Sequence, residues 1–310
     1  MHPDSDRRDF LRTLIGGAAT LTFTRTAFGI EAPEPIAATR LSANTTLVTG
    51  AGGNILILSG PDGLLLVNGS LPEQTADLTK FLADEFKGQP VRVAFNTDWH
   101  FDHTGSNEAF RNAGAKIIAH ENTKLWIGAD FYSDWEQRRY KPRPAAALPN
   151  ETFYTNGKMT FGAEPIEYGY MQQAHTDGDI YVFFPNQNIL VAGDVLSVGR
   201  YPILDYVTGG WIGGLQNANQ ALLKIANAET RIIPGAGPVQ TRADLQAQAD
   251  MCNAMRDRLV KLMRQGMGPQ DMIAAAPSKE FDAKWGDPKL FIKNAYRGMW
   301  GHVRELGNIV

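Results

Sequence analysis

The segment Asn96-Thr97-Asp98-Trp99-His100-Phe101-Asp102-His103-Thr104-Gly105-Ser106 follows directly on the apolar run Val91–Phe95. It sets four potential metal ligands within six residues at the end of a candidate strand. Two imidazoles and two carboxylates suit zinc or a comparable divalent ion. A fold that uses this block must bring further ligands to the same place, and three later stations have the right form. Ala174-His175-Thr176-Asp177-Gly178-Asp179 lies 72 residues after His103. Val191-Ala192-Gly193-Asp194 closes an apolar run 19 residues after His175, and Ile233-Pro234-Gly235-Ala236-Gly237-Pro238 closes another, with Ala236 42 residues after Asp194. Loops at strand ends along one sheet edge converge in space and carry function.

Composition limits what that site can be. There is one cysteine, Cys252, so an internal disulfide framework and any multi-Cys metal site are excluded. There are 6 histidines. His2 stands in the N-terminal segment, His120 ends a strand and reads as a structural or capping residue, and His302 falls on a C-terminal helix. His100, His103 and His175 remain for metal. The 30 Lys+Arg against 33 Asp+Glu leave a net charge of −3, without the basic excess that a nucleic-acid partner requires.

Residues 1–29 carry a twin arginine, Arg7-Arg8, then Phe10-Leu11-Arg12, an apolar run from Leu14 to Phe23 and a small-residue end, Ala27-Phe28-Gly29. The pattern resembles a twin-arginine export signal, with Asp6 where Ser or Thr is usual and Arg12 where Lys is usual. The apolar run is about half the roughly twenty residues that a membrane span needs, so no stable anchor is expected. The resemblance implies a periplasmic or otherwise exported protein. Residues 30–310 then read as a single domain. Strands are expected at 46–49, 54–58, 63–67, 91–95 and 116–119, and again at 152–154, 158–161, 165–169, 180–184, 188–192 and 231–233. Helices are expected over 73–86, 108–113, from 123, and over 213–227, 241–264 and 288–305. Residues 128–150 read as an irregular insertion rich in aromatics, Arg and Pro. No linker separates the halves, so one α/β domain with two sheets between helix layers accounts for the pattern.

The four stations resemble the metallo-β-lactamase fold superfamily, whose pattern is H-x-H-x-D-H, then a His, a bridging Asp and a His in P-G-H-G. The resemblance covers roughly residues 36–305. It implies a four-layer αββα sandwich of two mixed sheets flanked by helices, and metal-dependent hydrolysis of an ester, lactone, amide or thioester. It places Asp98, His100 and His175 on a first metal, Asp102 and His103 with position 236 on a second, and Asp194 between them. Asp102 would also orient the attacking water and pass on its proton, as the catalytic residue. Three positions depart from the pattern. Asp98 replaces the first His, Ala236 replaces the last, and Asn68 stands where a supporting Asp is usual. Zinc is the default ion, with one or two per chain and the second weakened by Ala236. Asn68 is expected to donate a hydrogen bond to Asp98. Trp126, Trp135, Tyr206 and Trp211 are expected either to wall a pocket for a small-molecule substrate of apolar or aromatic character or to bury the insertion against the body. The alternative is a degenerate member that binds a ligand or a single metal.

Overall fold

The computed structural model describes residues 35–307; the expected export signal lies outside them. The chain opens with the antiparallel strands β1 (Ala37–Arg40), β2 (Thr45–Thr49), β3 (Ile55–Gly60) and β4 (Gly63–Val67), then helix α1 (Thr75–Glu85). β5 (Val91–Phe95) leads into two short helices, α2 (Phe101–Thr104) and α3 (Asn107–Asn112), followed by β6 (Lys116–His120) and α4 (Glu121–Ile127). A small hairpin, β7 (Phe131–Ser133) with β8 (Arg138–Tyr140), precedes β9 (Glu151–Phe153). The second half runs β10 (Asn156–Phe161), β11 (Glu164–Tyr170), β12 (Ile180–Phe184), β13 (Ile189–Gly193), α5 (Ile212–Ile225), β14 (Arg231–Pro234) and α6 (Arg242–Arg264). It closes with α7 (Pro269–Ala274), α8 (Asp282–Trp285) and α9 (Lys289–Gly301).

The strands form a seven-stranded sheet, β1-β2-β3-β4-β5-β6-β9, and a five-stranded sheet, β10-β11-β12-β13-β14. Both are mixed: β4, β5, β6 and β9 pair in parallel, as do β13 and β14. Side chains alternate between the two faces, and burial of both faces explains why β3, β4 and β13 are apolar almost throughout. On β3 and β4, Leu56, Leu58, Leu65 and Val67 enter the core between the sheets. Their neighbours Ile55, Ile57, Leu64 and Leu66 face the outer core under α1, with Leu78 and Leu82. The second sheet divides likewise. Ile189, Val191 and Ile233 join the inter-sheet core, while Leu190, Ala192 and Ile232 pack beneath α5, α6 and α9. A sheet buried on both faces needs a helix layer outside each, which gives the expected four-layer αββα sandwich. Cys252 is fully buried in the helical core, as its place between Met251 and Met255 suggests.

Strand β1 and helices α7 and α8 fall outside the expected ranges, and two expected elements differ. The insertion at 128–150 is not irregular: Phe131 and Tyr140 pair across the β7–β8 hairpin and pack with Trp99 and Ile127 as a small separate core. The last helix ends at Gly301 rather than 305, with His302 closing it through a bond from its backbone N–H to Met299 O.

All four stations lie at one edge. β5 ends at Phe95, β13 at Gly193 and β14 at Pro234, while 174–179 lead into β12. The two sheets are stitched there by Ile180 N–H to Thr97 O at 2.8 Å. Gly235 N–H bonds Gly193 O at 2.9 Å, so the loops after β13 and β14 leave side by side.

Candidate metal centre

Asp98 sits at the bottom of this edge, fully buried. Its Oδ1 accepts the His100 backbone N–H at 2.8 Å and stands 3.2 Å from His100 Nδ1. Its Oδ2 stands 2.8 Å from His103 Nδ1. His100 occupies the position just before α2, with extended backbone, so its imidazole projects across the sheet edge toward the second half. There its Nδ1 lies 3.3 Å from His175 Nε2. His175 is fixed from behind, because its Nδ1 donates to Ile203 O at 2.9 Å and leaves Nε2 facing the site. Asp194 closes the ring: Oδ2 is 3.5 Å from His175 Nε2 and Oδ1 is 3.8 Å from His103 Nε2. Asp102 Oδ2 stands 3.9 Å from the same His103 nitrogen, and with a side chain 32% exposed it is the most open of the set.

These donors fit a cation. Two sets have ligand atoms that all lie within 4.8 Å of one another: Asp98, His100 and His175, and Asp98, His103 and Asp194. Bonds of about 2.0–2.2 Å to a tetrahedral zinc put neighbouring ligand atoms roughly 3.3–3.5 Å apart, close to several of the spacings here. One atom makes the stronger case. His103 Nε2 is buried and has no hydrogen-bond partner, although it faces Asp102 and Asp194. A buried polar atom left unpaired costs about 1–3 kcal/mol, which a bound cation would remove.

The electrostatics without a cation show how concentrated the charge is. Burial works against an ionised Asp98, yet His103 and His100 hold its carboxyl well below the usual carboxylate range. Burial likewise opposes protonation of His100, but the Asp98 carboxylate wins and lifts the imidazole to about 10. His103 is raised well above its ordinary value, against burial, by Asp98, Asp102 and Asp194. The Asp102 carboxyl is raised by burial, opposed by His103 and reinforced by Asp194.

Residues 38–237 match the family described as the Metallo-beta-lactamase superfamily. The chain belongs to that superfamily. It is 25% identical over 199 residues to the Metallo-beta-lactamase type 2 of Bacillus cereus, covering 64% of this chain and 72% of that protein. The 2,4-dinitroanisole O-demethylase subunit alpha of Nocardioides sp. (strain JS1661) is 26% identical over 162 residues, 51% of this chain and 46% of that protein. Among solved structures, a metallo-beta-lactamase from Pontibacter korlensis aligns with a TM-score of 0.58 at 21% identity, over 70% of this chain and 99% of that one. The sec-alkylsulfatase Pisa1 from Pseudomonas sp. aligns with a TM-score of 0.64 at 17% identity, over 84% of this chain and 50% of that one. Both structural likenesses establish the fold.

Set against the superfamily pattern, the departures fall as follows. Ala236 is exposed and supplies no ligand atom; it is the neighbouring Gly235 that touches Asp194. Asp98 is a member of both donor sets, because its two oxygens face different imidazoles. Asn68 does not bond Asp98, contrary to expectation. Its Oδ1 accepts from Thr97 N–H at 2.9 Å and from the Thr97 hydroxyl at 3.0 Å, and its buried Nδ2 has no partner. Its φ of 71° is left-handed, and its backbone N–H bonds Phe95 O at 2.7 Å, which sets it beside the end of β5. The influence of Asn68 therefore reaches His103 through Thr97, whose Oγ1 lies 3.2 Å from His103 Nδ1.

The aromatic residues divide. Trp211 is a core residue: its indole stacks on His302 at 3.8 Å and joins the helical core. Trp126 packs against Phe131 in the hairpin's core. Trp135 donates to Asp205 Oδ1 at 2.9 Å, and Tyr206 donates to Asp134, so the hairpin and the 201–211 segment are bonded to each other. His120 caps α4, accepting Asn122 N–H at 3.2 Å, and stacks on Tyr170, in keeping with a structural role. Sequence reasoning missed Asp205, which is fully buried and 3.9 Å from His100 Nε2. Its signal was present as a lone carboxylate inside the apolar and aromatic run Tyr201–Tyr206.

Proposed function

We propose that this chain is a zinc-dependent hydrolase of a small ester, lactone, amide or thioester, exported by the twin-arginine route and working in the periplasm. The observation that carries the reading is the unpaired, fully buried His103 Nε2 facing Asp102 and Asp194 beside the His100–His175–Asp194 cluster. His100, His175, Asp98 and Asp194 would hold the first ion; His103, Asp102 and Asp194 offer a weaker second position. Zinc, when bound, lowers the pKa of water from about 15.7 toward about 7 and polarises a carbonyl, which makes hydrolysis accessible at neutral pH. The chain's own residues do the rest. Asp102, more exposed than its partners, would accept the attacking water's proton and return it to the leaving group. Ile203 O fixes the His175 tautomer, and Asp98 fixes His103. Phe101, Trp126 and the hairpin form an aromatic flank suited to an apolar or aromatic substrate.

A second reading, a degenerate member that binds one metal or a ligand without efficient turnover, is favoured by Ala236 and by the way Asp98 closes on two imidazoles. Metal content per chain, measured together with hydrolysis of an ester, lactone and β-lactam panel, separates the two. Turnover that a chelator abolishes and zinc restores is expected. Equal turnover with and without chelator would remove the metal mechanism. Bound metal with no turnover on any class would establish the second reading.

A further inference from the structure

The hairpin and the 201–211 segment meet at one buried carboxylate, and that carboxylate looks toward the metal centre. Asp205 is fully buried. Its Oδ1 receives Trp135 Nε1–H at 2.9 Å, and its Oδ2 receives the Thr208 hydroxyl. Thr208 Oγ1 in turn accepts Trp99 Nε1–H at 3.0 Å, and the Trp99 ring stacks on His100 at 4.1 Å. The backbone is tied into the same place. Asp205 N–H donates to His175 O at 2.9 Å, and Gly210 N–H donates to Asp205 O at 2.9 Å. Asp205 Oδ2 stands 3.9 Å from His100 Nε2, the ring nitrogen that faces away from Asp98 and His175.

A buried carboxylate costs several kcal/mol unless charge compensates it. Among the described residues, the cationic partner within 4.0 Å of Asp205 is His100. Each oxygen takes one donor, Trp135 on Oδ1 and Thr208 on Oδ2, so an asparagine would leave one of the two facing its amide nitrogen. A carboxylate supplies both acceptors and, in addition, negative potential at His100 Nε2. Metal-binding histidines typically direct their second ring nitrogen at a carboxylate or carbonyl, which fixes the ring and raises its basicity. His175 already has this support from Ile203 O.

We infer that Asp205 is the positioning residue that fixes His100 for metal, and that Trp135 couples the aromatic hairpin to the metal through it. The inference rests on the proposed metal site and goes further, because it makes the substrate-side hairpin a determinant of metal affinity. Trp135 is 70 residues from Asp205 in sequence and lies on the hairpin rather than on either sheet. A change in the hairpin would therefore be felt at His100.

The test is a zinc competition titration of the full-length chain, its Asp205→Asn and Trp135→Phe variants and the double variant. Each is also loaded with cobalt(II) for its visible spectrum, and metal-free unfolding midpoints are recorded alongside. Asp205→Asn is expected to weaken zinc about 10–100-fold, the range for losing a supporting partner. Trp135→Phe should weaken it less and shift the cobalt band in the same direction as Asp205→Asn, with its metal-free midpoint close to the parent's. Because Trp135 acts through Asp205, the double variant should bind no more weakly than Asp205→Asn alone. Wild-type zinc affinity in Asp205→Asn, or additive losses in the double variant, would overturn the inference. Should Asp205→Asn fail to fold, Trp135→Phe decides: an unchanged cobalt spectrum with unchanged zinc affinity overturns it, and a shift in both supports it. A parent protein that binds no zinc would overturn the proposed function and this inference together, whereas parental binding unaffected by the variants overturns this inference alone.

Discussion

Gly235→Ala tests whether Asp194 is the shared ligand. Gly235 has an ordinary negative φ, so alanine meets no backbone penalty there; the difficulty is space. A Cβ at that position would stand 1.8 Å from Asp194 Oδ1, 2.9 Å from its Cγ and 3.1 Å from its backbone N. Cβ contacts below 3.0 Å essentially do not occur, so the oxygen must retreat by 1.2 Å, from 1.8 to 3.0 Å. Metal–ligand distances tolerate about 0.2 Å, so the displacement is roughly six times what coordination allows. The displaced atom is the oxygen that faces His103 Nε2. Loss of a ligand should weaken zinc at least as much as loss of a supporting partner, at the upper end about 100-fold. That corresponds to about 2.8 kcal/mol of binding. Overpacking should cost a further 1–3 kcal/mol or so of fold stability. The assay is zinc competition titration beside thermal unfolding of the metal-free protein. Gly301→Ala serves as the control, since a Cβ there meets nothing within 4 Å and should leave zinc affinity unchanged. A folded Gly235→Ala variant that binds zinc within threefold of the parent would refute the placement of Asp194 Oδ1 on the metal.

Three further outcomes follow from the same geometry. His100 has a folded-state pKa of about 10 against an ordinary 6.5, so without metal its stabilising contribution is complete below about pH 6.5 and is lost as pH rises through 10. Zinc must displace that proton, so zinc affinity should rise over the same range in which the metal-free unfolding midpoint falls; parallel trends would contradict this. Arg143 donates to Thr104 O, Thr104 Oγ1 and Gly105 O behind the ligand loop and lies over the Phe101 ring. Arg143→Met should lower stability in urea by about 2–3 kcal/mol, since hydrogen bonds from a charged donor are lost together with the cation–π contact. Ala236→His has room on an exposed loop and should raise bound zinc per chain on equilibrium dialysis; unchanged stoichiometry would count against the correspondence of position 236 with a ligand.

The candidate ligand block was legible because its chemistry is local. Asp98, His100, Asp102 and His103 follow one strand end, and strand ends along one edge were bound to meet once the strands were recognised. The apolar runs of β3, β4 and β13 also announced a sheet buried on both faces, which implies helices outside each. The double latch of Asp134–Tyr206 and Trp135–Asp205 was not legible, because its pairs lie 72 and 70 residues apart and follow no periodic pattern. The same limit explains Trp211. An aromatic beside Gly209-Gly210 reads as a pocket wall, yet packing of the last helix decides its direction: a Cβ on Gly298 would stand 3.0 Å from Trp211 Cβ, so the missing side chain lets the indole seat against α9.

Asp98 shows how one substitution is reinterpreted by geometry. From the sequence it is a His replaced by another ligand, with the carboxylate standing in for an imidazole. An imidazole in that place would offer one nitrogen to one ion. A carboxylate offers two oxygens that diverge, and here they reach different histidines, Oδ1 toward His100 and Oδ2 toward His103. It is also fully buried, while Asp102 and Asp194 remain partly open. Position 98 therefore carries a buried charged residue that belongs to both donor sets. Such a residue makes the two positions interdependent: an ion that draws Oδ1 toward His100 and His175 also moves the Oδ2 that holds His103. Occupancy of the first position should then set the orientation of the imidazole that offers the second, a coupling absent where separate histidines serve each ion.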